Sequence, residues 1–399
     1  MNKQQIPLDG DAAVEHLMRF LSVEGVTGEE KAIGETVIDA LVKVGVPRSA
    51  IRFDTAHERI KLPTQTGNLI AELPGTRDGA RMVFSTHLDT VLLCAGAKPK
   101  REGGRIHSDG TTALGGDNRT GCAVLVSLAE SIIKHKLPHP PITLLFTVRE
   151  ESGLHGAREL DPKDLKGATM CFNFDSRLPN ELIIGAVGQE NWDVMIKGKA
   201  AHAGIAPEKG ISATMVAAVG LVEVQRGGWF GKVVKPEGNG TSNVGIFEGK
   251  PGKAAGDATN VVTDYVHLRG EARGTKMEFV AQITAAYGAA FEKAKGEVKD
   301  SSGGTAEVKF QNSPSYPPFK LTEECEAVQR GKRAVEALGM KPTTVFSNGG
   351  LDANWLSGHG VPTVTFGAGQ YEIHTVNEYV EISEFLDGCR VAIAVATME

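Results

Sequence analysis

The chain has 399 residues, 41% of them hydrophobic and 23% charged, with a formal net charge of −6. That composition belongs to a folded protein with room for about two domains and a large core, and it excludes disorder as the main state. Lysines and arginines are scattered, which leaves no basic footprint for nucleic acid, and no run approaches the ~18 apolar residues of a membrane span.

"AAVEHLMRFLSV" has the apolar spacing of a helix, "RMVFSTH" reads as a strand, "RTGCAVLVSLAESIIKH" as a helix and "ITLLFTV" as a strand. "TMCFNF" and "ELIIGA" are two further strands. This alternation predicts an α/β fold, a sheet covered by helices on both faces. Near Gly188 the texture changes to "QENWDVMIKGKAAHAG", the small-residue helix "SATMVAAVGLVEVQ", and the strands "TSNVGIFEG" and "NVVTDYVHLRGEARG". A helix, "KMEFVAQITAAYGAAFEKAKG", and a polar strand, "TAEVKFQ", complete a strand-helix-strand-strand-helix-strand order. That order predicts a ferredoxin-like α+β unit inserted into the larger domain, 189–313 within 1–188 and 314–399. After "SPSYPPFK" come a helix "EECEAVQRGKRAVEAL", strands "TTVFS" and "PTVTFG", and a C-terminal helix "SEFLDGCRVAIAVATM".

The five cysteines, Cys94, Cys122, Cys171, Cys325 and Cys389, are widely spaced without a CxxC pair and read as free thiols. The start of the chain carries Asp9, Asp11 and Glu15 where a signal peptide has an apolar core. A cytoplasmic protein without a membrane partner is expected.

Ligands of an open α/β sheet collect at the carboxyl ends of its strands, and several acids and histidines follow apolar runs here. His87 and Asp89 stand two apart after "MVFS", so Asp89 can orient the His87 ring. Asp117 precedes a helix after Gly115 and Gly116, where a plain N-cap is the alternative. Glu150 and Glu151 end one strand, Asp175 ends another, and His374 lies far downstream. Adjacent acids are common on surface turns, but so many buried acids together would repel one another unless cations neutralise them. Two divalent ions sharing one bridging carboxylate account for this set with one glutamate left over, free to move protons during hydrolysis. Imidazole and carboxylate ligands without thiolate suit zinc, with manganese or cobalt as alternatives.

In "STHLDTV", "GGDNRTGCAVLV", "TVREESGLHGAREL", "CFNFDS", "KGKAAHAG", "NVV", "GEARG", "NGGLDANWL" and "GAGQYEIHTVNEYV", taken in order, the chain resembles the M20 family of dinuclear zinc peptidases and amidohydrolases, in particular its tripeptidase T-like branch. The resemblance implies a three-layer α/β/α zinc-exopeptidase-type catalytic domain with an inserted lid and dimerisation domain. It implies that His87, Asp175 and the bridging Asp117 hold one metal and that Glu151, His374 and Asp117 hold the other. Asp89 would orient His87, and Glu150 would take a proton from the water between the ions. His202 matches the lid histidine that stabilises the oxyanion, in many family dimers from the partner chain. Asn260 and Arg273 match lid positions that hold the substrate's carbonyl or carboxylate. Gly349, Gly350, Asp352, Gly367 and Gly369 fall in family loops near the site. The segments around "VLLCAGAKPKREGGRIHSDGTTALGG" are more compact than in tripeptidase T.

The expectation is therefore a dinuclear-zinc exopeptidase acting on short peptides with a free N-terminus, with a homodimer through the lid. A deacylase acting on N-acylated amino acids is the enzymatic alternative. A metal-stabilised binding module is the non-enzymatic one, and it predicts a lost ligand or base where Glu150 and all five ligand positions are present.

Overall fold

The computed structural model describes residues 6–398. The chain divides into two compact units, one running to Ala186 and resuming at Phe319, the other comprising Val187–Pro318. It is an α/β fold with an inserted sheet-rich unit.

The first unit is built on a nine-stranded sheet. At its centre Ile142–Thr147, Met82–His87, Met170–Phe174 and Thr363–Phe366 lie side by side and parallel. Every residue of the first two is buried, as expected of parallel strands with both faces covered. Neighbouring residues alternate between two cores. Phe84, Leu144, Phe146, Phe172 and Phe174 join one cluster with the helices Gly10–Leu21, Lys31–Lys43, Gly116–His135 and Ile382–Thr397. Val83, Leu145 and Cys171 pack on the other face with Leu160, Leu165, Leu356 and Val361.

The helix Gly116–His135 lies close enough to the sheet that a Cβ on Gly121 would meet Thr86 Oγ1 at 2.1 Å and the Phe174 carbonyl oxygen at 2.4 Å. Only glycine fits there, and the approach brings the start of the helix to the carboxyl ends of the strands.

Some elements have weak local signals. Leu69–Leu73 pairs antiparallel with Ile142–Thr147, and Ile51–Phe53 continues that edge. A separate four-stranded antiparallel sheet joins Lys100–Glu102, Arg105–His107, Tyr379–Glu381 and Gln370–Tyr371. Its strands are two or three residues long, too short to show periodicity, yet it ties the segment before Asp117 to the segment around His374.

The inserted unit is a five-stranded antiparallel sheet in the order Gly231–Lys235, Gly238–Glu248, Tyr265–Gly274, Gly188–Lys197, Glu307–Tyr316. The helices Ala213–Arg226 and Met277–Glu297 share one core with it, around Trp192, Val194, Leu268, Tyr287 and Phe291. The expected order had four strands, and the addition is the edge strand Gly231–Lys235. Only Val233 of its five residues is buried, so the alternation that marks a half-buried strand is nearly absent.

Candidate metal centre

Three central strands deliver acids and an imidazole to one end of the sheet. His87 is the last residue of its strand, Asp175 follows Phe174, and Glu150 and Glu151 follow Thr147 by a short turn. Asp117 comes from the opening of the close-packed helix, where the backbone departs from helical geometry and the Asp117–Asn118 peptide is cis. His374 comes from the turn after Gln370–Tyr371, with φ of +62°.

The two carboxylate oxygens of Asp117 face two different imidazoles. Oδ1 lies 3.2 Å from His87 Nε2, and Oδ2 lies 3.3 Å from His374 Nε2. His87 Nε2 is also 3.5 Å from Asp175 Oδ1, and His374 Nε2 is 2.9 Å from Glu151 Oε1. Two groups have ligand atoms all within 4.8 Å of one another, His87 with Glu150 and Asp175, and His87 with Asp117 and Glu151. His374 belongs to neither group and is half-exposed, but its close pairs with Asp117 and Glu151 put it at the rim of the second. Asp117, Glu150, Glu151, Asp175 and His374 line a pocket of about 490 Å³ with Ser176, Arg177, Ser347, Gly349, Gly350 and Tyr371 among its walls.

Without cations the cluster is in electrostatic conflict. Burial pushes Glu150 well above the carboxylate range, against the opposing charge of His87. Burial, reinforced by the charge of Asp117, pushes Glu151 up to about 7, and burial raises Asp175 to about 6. Hydrogen bonds to Asp117 and Glu151 raise His374 to about 10. Burial works against protonation of His87, but Asp175, Asp117 and Asp89 outweigh it and hold that imidazole well above its ordinary value. Asp117 is the exception: burial favours its neutral form, yet the bonds from His374 and His87 keep it below the usual range. Converging imidazole nitrogens and carboxylate oxygens that hold one another's protons are a donor set fitted to divalent cations. The nearby Cys94 supplies no thiolate, because burial pushes its thiol up to about 12.

The family model for peptidase family M20/M25/M40 matches residues 83–398. The chain belongs to this family. The Bacillus subtilis protein YqjE is 35% identical over 330 residues, 82% of this chain and 84% of that protein. Aminopeptidase PepT from Bacillus cereus ATCC 10987 has a structure that matches with a TM-score of 0.83 at 33% identity, covering 98% of both chains. A tripeptidase from Staphylococcus aureus subsp. aureus Mu50 matches with a TM-score of 0.86 at 28% identity, again over 98% of both. This M20 chain therefore stands close to the peptidase T branch, and its fold and donor clusters are those of a catalytically active M20-family hydrolase.

In this M20 hydrolase Asp89 does more than orient a ring. His87 Nδ1 lies 3.0 Å from the Asp89 backbone carbonyl, so Nδ1 is a protonated nitrogen that donates to it, and this bond turns Nε2 to the cluster; the Asp89 carboxylate is farther, at 3.4 Å. That carboxylate accepts instead from the backbone N–H groups of Glu150 and Glu151, at 3.0 and 3.1 Å. The turn is braced a second time by buried Glu30, whose Oε1 accepts from Arg149 N at 3.1 Å and Gly28 N at 2.6 Å. Arg149 holds a positive φ of +52° there, and its side chain donates to Thr64, Ser152 and Pro63.

Sequence reasoning gave no role to three buried acids: Glu30, which lies outside every motif, Glu378, which lies within "GAGQYEIHTVNEYV", and Asp352, which was placed in a loop near the site without a role. Glu378 accepts from the backbone N–H groups of Leu114, Gly115 and Asp117. Asp352 accepts from Thr147 Oγ1, its Oδ1 is buried without a hydrogen-bond partner among the described residues, and burial pushes it up to about 7. For Glu378 and Asp352 the available signal was an acid inside a motif near the site; Glu30 had none.

His202, Asn260 and Arg273 belong to the inserted unit, and the six clustered residues belong to the first. The exposed His202 sits in a bridge with Val261, next to Asn260, whose carbonyl accepts from Ala203 N at 2.9 Å. Gly204 N donates to His202 Nδ1 at 3.1 Å, which leaves the Nε2–H as the outward donor. Arg273 is already engaged: its Nε and one terminal nitrogen donate to the two oxygens of Glu271, both at 2.9 Å. Among the described residues no helix is long and apolar enough to cross a membrane.

Proposed function

We propose that this protein is a dinuclear-metal exopeptidase of the tripeptide aminopeptidase kind, cleaving short peptides with a free N-terminus. The observation that carries the reading is Asp117, one carboxylate with each oxygen turned to a different imidazole. A bridging ligand between two cations has this arrangement. In this reading His87, Asp117 and Asp175 hold one ion, and Asp117, Glu151 and His374 hold the other, with zinc as the metal and manganese or cobalt as substitutes. The relatives' names, aminopeptidase and tripeptidase, support the substrate class.

When bound, the two cations supply Lewis-acid polarisation of the scissile carbonyl and make water more acidic. Glu150 takes a proton from the attacking water on its carboxylate and gives it to the leaving amine nitrogen. The backbone bond from Glu150 to Asp89 fixes where that carboxylate starts. His202, through Nε2–H, stabilises the oxyanion, while Asn260 and Arg273 take the substrate contacts proposed from their motifs. The layered zinc-exopeptidase type of the first unit, with the inserted unit acting as lid and homodimer surface, and the cytoplasmic setting belong to the same proposal.

The test uses metal-stripped protein restored with zinc, manganese or cobalt and offered free-amine tripeptides, dipeptides and N-acetylated amino acids. Preference for the tripeptide supports the reading. Cleavage of the N-acetylated amino acid alone makes the protein a deacylase and removes the peptide claim.

A further inference from the structure

The metal pocket has one cation whose task the reading above leaves unassigned. Arg177 follows Asp175 just past the strand Met170–Phe174 and lines the pocket beside the metal-cluster acids. Its backbone is locked: the Arg177 carbonyl accepts from Gly369 N at 2.7 Å, and a Cβ on Gly367 would meet the Arg177 carbonyl carbon at 2.3 Å. Its guanidinium carbon sits 5.6 Å from the ring centroid of Tyr371. That ring is itself held, because its hydroxyl donates to Glu384 Oε2 at 2.7 Å and it stacks on Tyr379 at 5.1 Å. The cation thus rests on a fixed aromatic platform, yet its N–H groups have no hydrogen-bond or ion-pair partner among the described residues. Arg273 is the contrast, with its fork already turned onto Glu271.

Arg177 shares the pocket wall with five acids, Asp117, Glu150, Glu151, Asp175 and Glu372, yet its exposed guanidinium is paired with none of them among the described residues. Its planar fork is therefore available on the pocket wall, where a carboxylate can take two parallel N–H bonds.

We propose that Arg177 reads a carboxylate of the substrate, so that the protein selects short peptides carrying a free carboxylate close to the scissile amide. The inference rests on the peptidase reading. The carboxylate has two sources, the peptide's own C-terminus or an acidic side chain, and the experiment separates them.

Steady-state kinetics on the full-length, zinc-restored protein compares trialanine with its C-terminal amide, and a glutamyl tripeptide amide with its glutaminyl counterpart. The wild type favours the carboxylate member of at least one pair by about 10- to 100-fold in kcat/KM, mainly through KM, the worth of a charge-assisted bond. In Arg177→Ala that ratio falls toward one, and Arg177→Lys, which keeps the charge but loses the fork, retains part of it. A ratio that falls only in the first pair assigns the C-terminal carboxylate; one that falls only in the second assigns the side chain. Ratios equal in wild type and Arg177→Ala for both pairs overturn the proposal. If the wild type cleaves no peptide, it is the peptidase reading that fails, and the same comparison on N-acetylalanine and its amide then decides Arg177 separately.

Discussion

Glu378 accepts a hydrogen bond from the backbone N–H of Asp117 at 3.0 Å, across 261 positions of sequence. Its other oxygen takes the N–H groups of Leu114 and Gly115, both at 2.8 Å. Because His374 stands on the same turn as Glu378, one buried side chain holds together the two segments that carry Asp117 and His374. Glu378→Ala leaves three buried N–H groups unpaired and frees Asp117 to move. Loss of such a supporting group typically weakens metal affinity by about 10- to 100-fold. Zinc titration in chelator buffers is expected to show that shift, with activity returning at excess zinc. A midpoint identical to wild type would remove the role assigned to Glu378.

Glu150 and Glu151 are neighbours with different expected losses. Glu150→Gln keeps shape and hydrogen bonding but carries no removable proton, so kcat should fall by about 10²- to 10⁴-fold while bound metal, counted by elemental analysis, is retained. Glu151→Gln should lose metal as well. If Glu150→Gln also loses metal, Glu150 is a ligand, as its membership of a donor group with His87 and Asp175 allows.

The metal-free cluster makes stability depend on pH in a definite direction. Glu151 and Asp175 are raised to about 7 and about 6, so the folded chain keeps protons that the unfolded chain has already released. By linkage these groups cost stability as pH rises from the ordinary carboxylate range through those values. His374 is raised to about 10, so its contribution is complete below the ordinary histidine value and is lost as pH climbs through 10. All three act with the same sign, and cations bind the deprotonated ligands. The gap in Tm between zinc-loaded and chelator-stripped protein should therefore widen from about pH 5.5 to about pH 8. A gap independent of pH would contradict the electrostatic account of the cluster.

Gly121→Ala tests the packing that brings Asp117 to the strand ends. The added methyl meets backbone and side-chain oxygen at 2.4 and 2.1 Å, with no flexible neighbour to give way. Overpacking of this kind costs about 1–3 kcal/mol, readable as a lower denaturant midpoint at unchanged slope. Wild-type stability in this variant would mean that the helix is not held so close to the sheet.

The central strands and the helix after Asp117 were legible because their signals are local. A continuous apolar run such as "ITLLFTV" has few solutions other than a buried strand, and polar residues at the ends of such runs mark the ligand side of a parallel sheet. The edge strand Gly231–Lys235 and the small sheet joining Arg105–His107 to Tyr379–Glu381 were not, because their hydrogen bonds are made between backbones and ask little of the side chains.

By itself the sequence determined which side chains are available for the chemistry, and the order of its motifs determined the family. Only the tertiary structure decided what holds those side chains in place. Asp89 braces the Glu150–Glu151 turn with its carboxylate, Glu378 clamps Asp117, and Arg177 stands unpaired on Tyr371 while Arg273 is taken by Glu271. The physical reason is that a carboxylate or guanidinium carries no mark of its partner in the residues beside it; the partner is chosen by the fold, among groups brought within about 3 Å from distant parts of the chain.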